Sequence, residues 1–266
     1  LTSNDEGENW AIQDSGIGTT LNGLAYVNDI FMAVGASGVI LTSPDGVGWS
    51  PQTSFTTDTL RGAAYGAGLY VVAGDKGTIR TSPDGVDWAP QAFPDTRDLN
   101  GVIYAFGNFI AFGERYRIFT SSDGTNWTAR LSGGSSDPAF SAMAFGAGRV
   151  VAAGGSATIL SSADGINWTP HVTVNAISQR FIVYGANRFV AGGSGGAMVQ
   201  ALATVSSTTI IPTYENNTLT LTWSGGGTLE SAPDVSGPYT EVPGAASPYL
   251  ISNPTAPRQF FRVLLP

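Results

Sequence analysis

Ser43-Pro44-Asp45-Gly46-Val47-Gly48-Trp49 is a tight turn followed by a large apolar anchor, and the chain repeats it. Near copies stand at Ser82 to Trp88 (SPDGVDW), Ser121 to Trp127 (SSDGTNW) and Ser162 to Trp168 (SADGINW), with a form one residue longer at Ser3 to Trp10 (SNDEGENW). The tryptophans at 10, 49, 88, 127 and 168 are therefore separated by 39, 39, 39 and 41 residues. A fixed period of this length identifies a repeat architecture and takes precedence over local secondary structure. The residue types follow from the turn itself: Asp accepts hydrogen bonds from the amides after it, Ser adds a hydroxyl, and Gly takes positive φ. This assigns Asp5, Asp45, Asp84, Asp123 and Asp164 to turn chemistry rather than to calcium or sugar binding. It assigns Trp10, Trp49, Trp88, Trp127 and Trp168 to packing between repeats, where an indole buries a large area.

Alignment on the tryptophans gives four complete units, Leu21–Thr59, Leu60–Asp98, Leu99–Pro138 and Ala139–Gln179. Each predicts four short strands: one ending in an aromatic (Leu24-Ala25-Tyr26), an apolar run ending in Gly (Phe31 to Gly35), a third (Val39 to Thr42) leading into the SxDG turn, and a fourth from the tryptophan. Four strands per roughly 40 residues is the blade of a β-propeller, which packs twisted sheets radially and leaves few open edges. A fifth unit starts at Arg180 and stops after Gln200 with three strands and no tryptophan. Asn9 to Gln13, before the first full unit, is the missing fourth strand, so the expectation is a five-bladed propeller over residues 1–204 closed by its N-terminal strand. Leu1 and Thr2 compete with residues 197–200 for the third-strand position, and the same complementarity can be met between molecules.

Composition agrees with an all-β chain. Of 266 residues, 35 are Gly and only 12% are charged, which suits short strands joined by tight turns, and no segment carries a helical apolar period. The net charge of −8, with Lys76 the single lysine among twelve basic residues, argues against nucleic acid or an anionic membrane surface as partner. No cysteine is present, so there is no disulfide framework and no thiolate metal site, and no apolar run is long enough to span a membrane. The start at Leu1, already inside a repeat, predicts a processed or trimmed product.

The SNDEGENW copy resembles the Asp-box, or bacterial neuraminidase repeat, and the four SxDGxxW copies resemble its shorter form, found in photosystem II assembly factors and secreted bacterial propellers. The resemblance covers about three quarters of the chain. It implies a propeller and no particular activity, since Asp-boxes occur in sialidases, xyloglucanases, sorting receptors and proteins without known chemistry.

After a linker-like run at 204–209 the repeat ends. Thr218 to Trp223 alternates as a half-buried strand, and further strands are predicted at Gly227–Ser231, Tyr239–Val242, Tyr249–Ser252 and Gln259–Leu264, with turns at Pro233-Asp234 and 236–238. Residues 205–266 are thus expected to form a small antiparallel β-sandwich. The segment resembles C-terminal modules of secreted bacterial proteins, which implies an accessory or attachment role and export.

Catalytic chemistry finds little support. A glycosidase needs two carboxylates about 5–9.5 Å apart at the reacting bond, and the strands expected to line the axis (LNGLAYV, LRGAAYG, LNGVIYA, FSAMAFG, RFIVYGA) hold neither Asp nor Glu. His171 is the one histidine and reads as an exposed loop residue, and no HExxH, phosphate-loop or dinucleotide pattern occurs. Asn126, Asn167 and Asn216 match the N-glycosylation pattern, the first two inside the blade motif. What breaks the repeat is Gly113-Glu114-Arg115-Tyr116-Arg117, between the second and third strands of the third unit. Arg61, Asp75, Lys76, Asp95, Arg97, Glu114, Arg115, Tyr116 and Arg117 should share the face opposite the SxDG turns and form a ligand or partner site. The reading is a non-enzymatic extracellular or cell-surface scaffold without cofactor or metal, whose partner is a protein, including a further copy of itself. A glycan-binding, lectin-like propeller is the alternative, and a glycoside hydrolase a weaker one.

Overall fold

The computed structural model describes all residues except 4, 132–137, 172–177, 197, 203–209, 216, 224–227, 234–238, 253–259 and 265–266. The linker run at 204–209, the turn at 236–238 and Asn216 fall outside the described residues. Two compact units are present, Leu1–Ala203 and Thr204–Pro266.

The first unit repeats one antiparallel sheet. Its first copy is β1 (Leu21–Val27), β2 (Ile30–Gly35), β3 (Ile40–Ser43) and β4 (Ser50–Gln52), hydrogen-bonded in sequence order. The second is β5 (Leu60–Gly66), β6 (Leu69–Gly74), β7 (Ile79–Ser82) and β8 (Ala89–Gln91), and the third is β9 (Leu99–Ala105), β10 (Asn108–Gly113), β11 (Ile118–Ser121) and β12 (Thr128–Leu131). The fourth is β13 (Phe140–Gly146), β14 (Arg149–Gly154), β15 (Ile159–Ser162) and β16 (Thr169–His171). The fifth has three strands, β17 (Gln179–Gly185), β18 (Arg188–Gly193) and β19 (Met198–Leu202).

The SxDG turns join third to fourth strands and are built alike. Asp84 Oδ1 accepts from the amides of Val86 and Asp87 at 2.9 Å, Ser82 Oγ accepts from Gly85 N at 2.8 Å, and Trp88 Nε1 donates to the Gly85 carbonyl at 3.1 Å. The Asp45, Asp123 and Asp164 turns share the carboxylate and indole bonds, and the Asp5 copy keeps the indole bond while its Oδ1 accepts a later turn amide, Asn9 N at 2.9 Å, in place of the two amides the others hold. Three residues past each tryptophan a polar side chain reaches back to a hydroxyl of the third strand: Gln52 to Thr42, Gln91 to Thr81, Arg130 to Thr120 and His171 to Ser161. His171 is therefore the last residue of a strand, not of a loop, because this position serves the same contact in each of the four four-stranded blades.

The cores lie between sheets. Met32, Val34 and Ile40 of the first sheet pack on Leu60, Tyr70, Val72 and Trp88 of the second. Val71, Ala73 and Ile79 of the second then face Leu99, Val102 and Phe109 of the third, and the pattern continues to the fifth. Neighbouring sheets approach closely: a Cβ on Gly23 would lie 2.5 Å from the Arg61 carbonyl oxygen and one on Gly62 2.8 Å from Gly101 Cα, while a Cβ on Gly66 would lie 2.2 Å from the Tyr104 ring and one on Gly146 2.1 Å from the Tyr184 ring.

Two expectations at the chain ends are corrected. β1 packs on β5, β5 on β9, β9 on β13 and β13 on β17, but no comparable packing joins β17 to β1 among the described residues. Nor does the N-terminal strand complete the last blade. Thr2 and Ala11 bond each other in both directions at 2.9 and 2.8 Å, in the register that pairs Thr42 with Ser50 and Thr81 with Ala89. Gln13 reaches Thr2 Oγ1 at 2.8 Å, as Gln52 reaches Thr42. The local hairpin wins because its two sides are joined by a ready-made SxDG turn, whereas pairing with β19 has to be made across the chain.

The second unit contains β20 (Ile211–Glu215), β21 (Thr218–Thr222), β22 (Thr228–Ala232), β23 (Thr240–Glu241), β24 (Tyr249–Ser252) and β25 (Phe260–Leu264). They form two antiparallel sheets ordered β20-β21-β24 and β23-β22-β25, and Leu221, Trp223 and Leu229 share one apolar cluster. β20 is the strand the sequence hides. It is an edge strand containing Pro212 and is exposed throughout, so it has no apolar alternation.

Candidate functional site

At the end of each blade opposite the SxDG turn, the loop between second and third strands meets the loop that leads into the next blade. The amide after the closing Gly of the second strand bonds the carbonyl just before the first strand: Ala36 to Thr20, Asp75 to Thr59, Glu114 to Asp98, Gly155 to Ala139 and Ser194 to Ser178, at 2.8–3.1 Å. Each of these loops turns through a left-handed residue, including Ser37, Lys76 and Arg115, with φ of 57, 56 and 57°. The fold thus brings two short loops together at the same place in every blade, whatever side chains they carry.

In the second and third blades those side chains are charged and paired. Arg61 Nε lies 2.5 Å from Asp75 Oδ1, and Lys76 Nζ 2.5 Å from Asp58 Oδ1. Asp58 also accepts from Thr78 Oγ1 at 2.9 Å, and Asp98 accepts the Lys76 amide at 2.9 Å. Asp95, whose side chain is nearly buried, accepts Arg97 at 3.0 Å and Arg117 at 2.6 Å, so Arg117 ties the third blade to the loop before it. The Lys76 ammonium holds the Asp58 carboxyl below its ordinary range, and Asp75 raises the Arg61 guanidinium.

Of the residues expected at this face, Arg61 with Asp75, and Asp95 with Arg97 and Arg117, are brought together, and Lys76 joins them through Asp58 and Asp98. Tyr116 turns away from the cluster. Its hydroxyl donates to the Gly155 carbonyl at 2.9 Å and bonds Thr158 Oγ1, and its ring packs 4.9 Å from Phe140. It is a brace between the third and fourth blades. Glu114 is exposed and Arg115 half-buried. Asp58, Asp98 and Arg80 escaped the sequence reading. The first two stand just before Leu60 and Leu99, the residues that open β5 and β9, and that placement was the available clue.

Arg80 organises the neighbouring loop. Its Nε donates to the Ser54 carbonyl at 3.0 Å and its Nη2 to the Phe55 carbonyl at 3.3 Å, and burial lowers its affinity for the proton. Phe55 is held at φ 55° with 71% of its surface exposed. A groove of about 670 Å³ beside it is lined by Ser37, Val39, Gln52, Ser54 and Thr56.

At the opposite end the turn carboxylates are occupied by their own amides, which hold all five below the ordinary range and Asp5 at about 2. Asn126 and Asn167 Nδ2 each donate to the turn aspartate at 2.7 Å. Among the described residues no group of three His, Asp or Glu could hold a metal, and no helix is long and apolar enough to cross a membrane.

No protein-family model and no curated protein sequence matches the chain. Solved structures do. YCF48 bound to D1 peptide aligns with a TM-score of 0.56 and 16% identity over 84% of this chain and 82% of that one. YCF48 from Cyanidioschyzon merolae gives 0.55 and 14% over 85% of each chain, and the WD40 β-propeller domain of Doa1 gives 0.55 and 12% over 90% and 84%. The chain has a β-propeller fold. At such identities the likeness is one of fold, and a propeller hosts many functions, so the site has to be argued from its own residues.

Proposed function

We propose that the protein is a non-enzymatic interaction scaffold that takes a peptide segment of a protein partner on the face opposite the SxDG turns. The observation that carries this reading is the exposed Phe55 and its polar groove, on a face that also presents Arg115 and a lattice of ion pairs from Arg61, Lys76, Arg97 and Arg117 to Asp58, Asp75 and Asp95. The exposed ring supplies apolar anchorage, and the Arg115 guanidinium and the polar lining of the groove supply partners for peptide carboxylates and carbonyls. That a YCF48 propeller is known with a D1 peptide bound supports peptide recognition on this fold. The non-enzymatic part is supported by the inner strands β1, β5, β9, β13 and β17, none of which carries Asp or Glu. The blade motif is read as a short Asp-box and the second unit as a sandwich-type accessory module. The resemblance of that unit to modules of secreted proteins supports reading the scaffold as one that acts outside the cell or on its surface.

Display of a random peptide library against the purified protein tests the reading. Selected peptides should lose at least tenfold in affinity with Phe55→Ala combined with Arg115→Ala, and keep it with Val47→Ala on the opposite end. Failure to select any binder, or equal loss with Val47→Ala, refutes it.

A further inference from the structure

The charged loops of the second and third blades lie 39 residues apart in the chain, and one ion pair of the second blade has no counterpart in the third. In the second blade Lys76 Nζ lies 2.5 Å from Asp58 Oδ1, and Thr78 Oγ1 donates to Asp58 Oδ2 at 2.9 Å. One repeat along the chain, the place of Lys76 is taken by Arg115, that of Thr78 by Arg117 and that of Asp58 by Arg97. A carboxylate held by an ammonium and a hydroxyl is therefore replaced by three guanidinium groups.

The backbone that places them is unchanged. The Asp75 amide bonds the Thr59 carbonyl at 2.8 Å and the Glu114 amide bonds the Asp98 carbonyl at 3.0 Å, while Lys76 and Arg115 share the left-handed conformation at φ 56 and 57°. Arg115 thus starts from the place of Lys76, and Arg97 from the place of Asp58. Asp95 answers part of the charge, accepting Arg97 Nη1 at 3.0 Å and Arg117 Nη1 at 2.6 Å. Its side chain is only 6% exposed, so those two partners fill it. Among the described residues Arg97 commits only Nη1 of its guanidinium, the buried Arg117 Nε has no partner, and Arg115 meets no carboxylate. The other acids of the region are engaged elsewhere. Asp98 accepts the Lys76 amide, and the Arg61 guanidinium, held in its charged form first by Asp75, is stabilised further by Asp98 and Glu114.

We propose that a carboxylate of the bound peptide takes the place that Asp58 fills one blade earlier, seated between Arg97 and Arg115 beside Arg117. The partner of the candidate face is then a carboxylate-bearing peptide segment, which deepens the peptide-binding reading and rests on it for the source of the carboxylate. A planar carboxylate meets a guanidinium fork through parallel N–H bonds, and the unanswered charge gives the third blade an attraction for anions that the neutralised second blade lacks. The net charge of −8 repels anions at long range, so recognition depends on this local pair of arginines.

Acetate is the simplest probe and needs no peptide. Guanidinium nitrogen resonances of the full chain, followed during titration with sodium acetate against sodium chloride at equal ionic strength, should shift saturably for Arg97 and Arg115. Arg61, already paired with Asp75, should not respond. Arg97→Asp restores the acid–base pattern of the second blade and leaves Asp95 its bond to Arg117, so the variant should keep the wild-type circular dichroism spectrum and lose the acetate response. Arg115→Ala, which breaks no bond among the described residues, should lose it too. Peptides selected by display should bind wild type about tenfold more tightly than versions with Asp and Glu changed to Asn and Gln, or with an amidated C-terminus, according to which carboxylate they use. Arg97→Asp should abolish that difference. No acetate shift at Arg97 and Arg115, or a shift that survives Arg97→Asp, overturns the proposal. Peptides that need Phe55 but bind equally well with every carboxylate removed also overturn it and leave the peptide reading intact, whereas saturable acetate binding with no peptide selected upholds the anion site and refutes the peptide reading.

Discussion

The motif tryptophans are alike in sequence and unlike in surroundings, which makes Trp88→Ala against Trp10→Ala a controlled comparison. Both indoles donate to the carbonyl of the glycine three residues earlier, at 3.1 and 2.9 Å, so the local bond cancels between them. Trp88 is 4% exposed and packs with Met32, Val34, Leu60 and Tyr70, while Trp10 is 60% exposed. A buried indole removes on the order of 200 Å² from water. At about 25 cal/mol per Å² that is roughly 5 kcal/mol, in line with the ~3–5 kcal/mol seen for Trp→Ala in cores. For Trp10 the buried share is less than half, so its truncation should cost about 1–2 kcal/mol. The assay is urea unfolding followed by far-ultraviolet circular dichroism at about 1 μM, comparing midpoints at unchanged slope. Equal losses from the two substitutions would refute the reasoning, because they would mean that Trp10 is covered to the extent that Trp88 is.

Glycine positions give a second matched pair. Gly66→Ala should destabilise by about 1–3 kcal/mol through overpacking against Tyr104, while Gly185→Ala, with empty space around it, should leave the urea midpoint of the monomer unchanged. The turn carboxylates predict an acid limb. Their folded-state proton affinity is lowered by turn amides, so their contribution is complete above the unfolded value near 4 and is lost as pH falls towards the folded one. Carboxyl carbon resonances of Asp5 should titrate with a midpoint near 2, and a midpoint at about 4 would show that the turn bonds are not made.

The candidate face shows where sequence reading stops. That Glu114-Arg115-Tyr116-Arg117 departs from the repeat was plain, and so was the end of the blade on which it falls. What each residue does there depends on partners far away in the chain: Arg117 is held by Asp95, and Tyr116 by Gly155 and Thr158. An irregular, charged loop therefore turned out to be partly a set of braces between blades. Phe55 was invisible for a related reason, since its exposure depends on Arg80 gripping the loop carbonyls on either side.

By itself the sequence determined the blade. The SxDG turn closes through bonds within about four residues, the third-strand hydroxyl is met ten residues on, and each sheet is built from neighbours in the chain. Contacts so local are written in the period and can be read from it. Only the tertiary structure decided what happens at the ends. Every blade offers the same two faces, so the pattern that specifies how one blade meets the next is silent on whether the fifth meets the first. The answer rests on β1 and β17, about 160 residues apart, and on a hairpin at residues 1–13 that satisfies its own hydrogen bonds before β19 can.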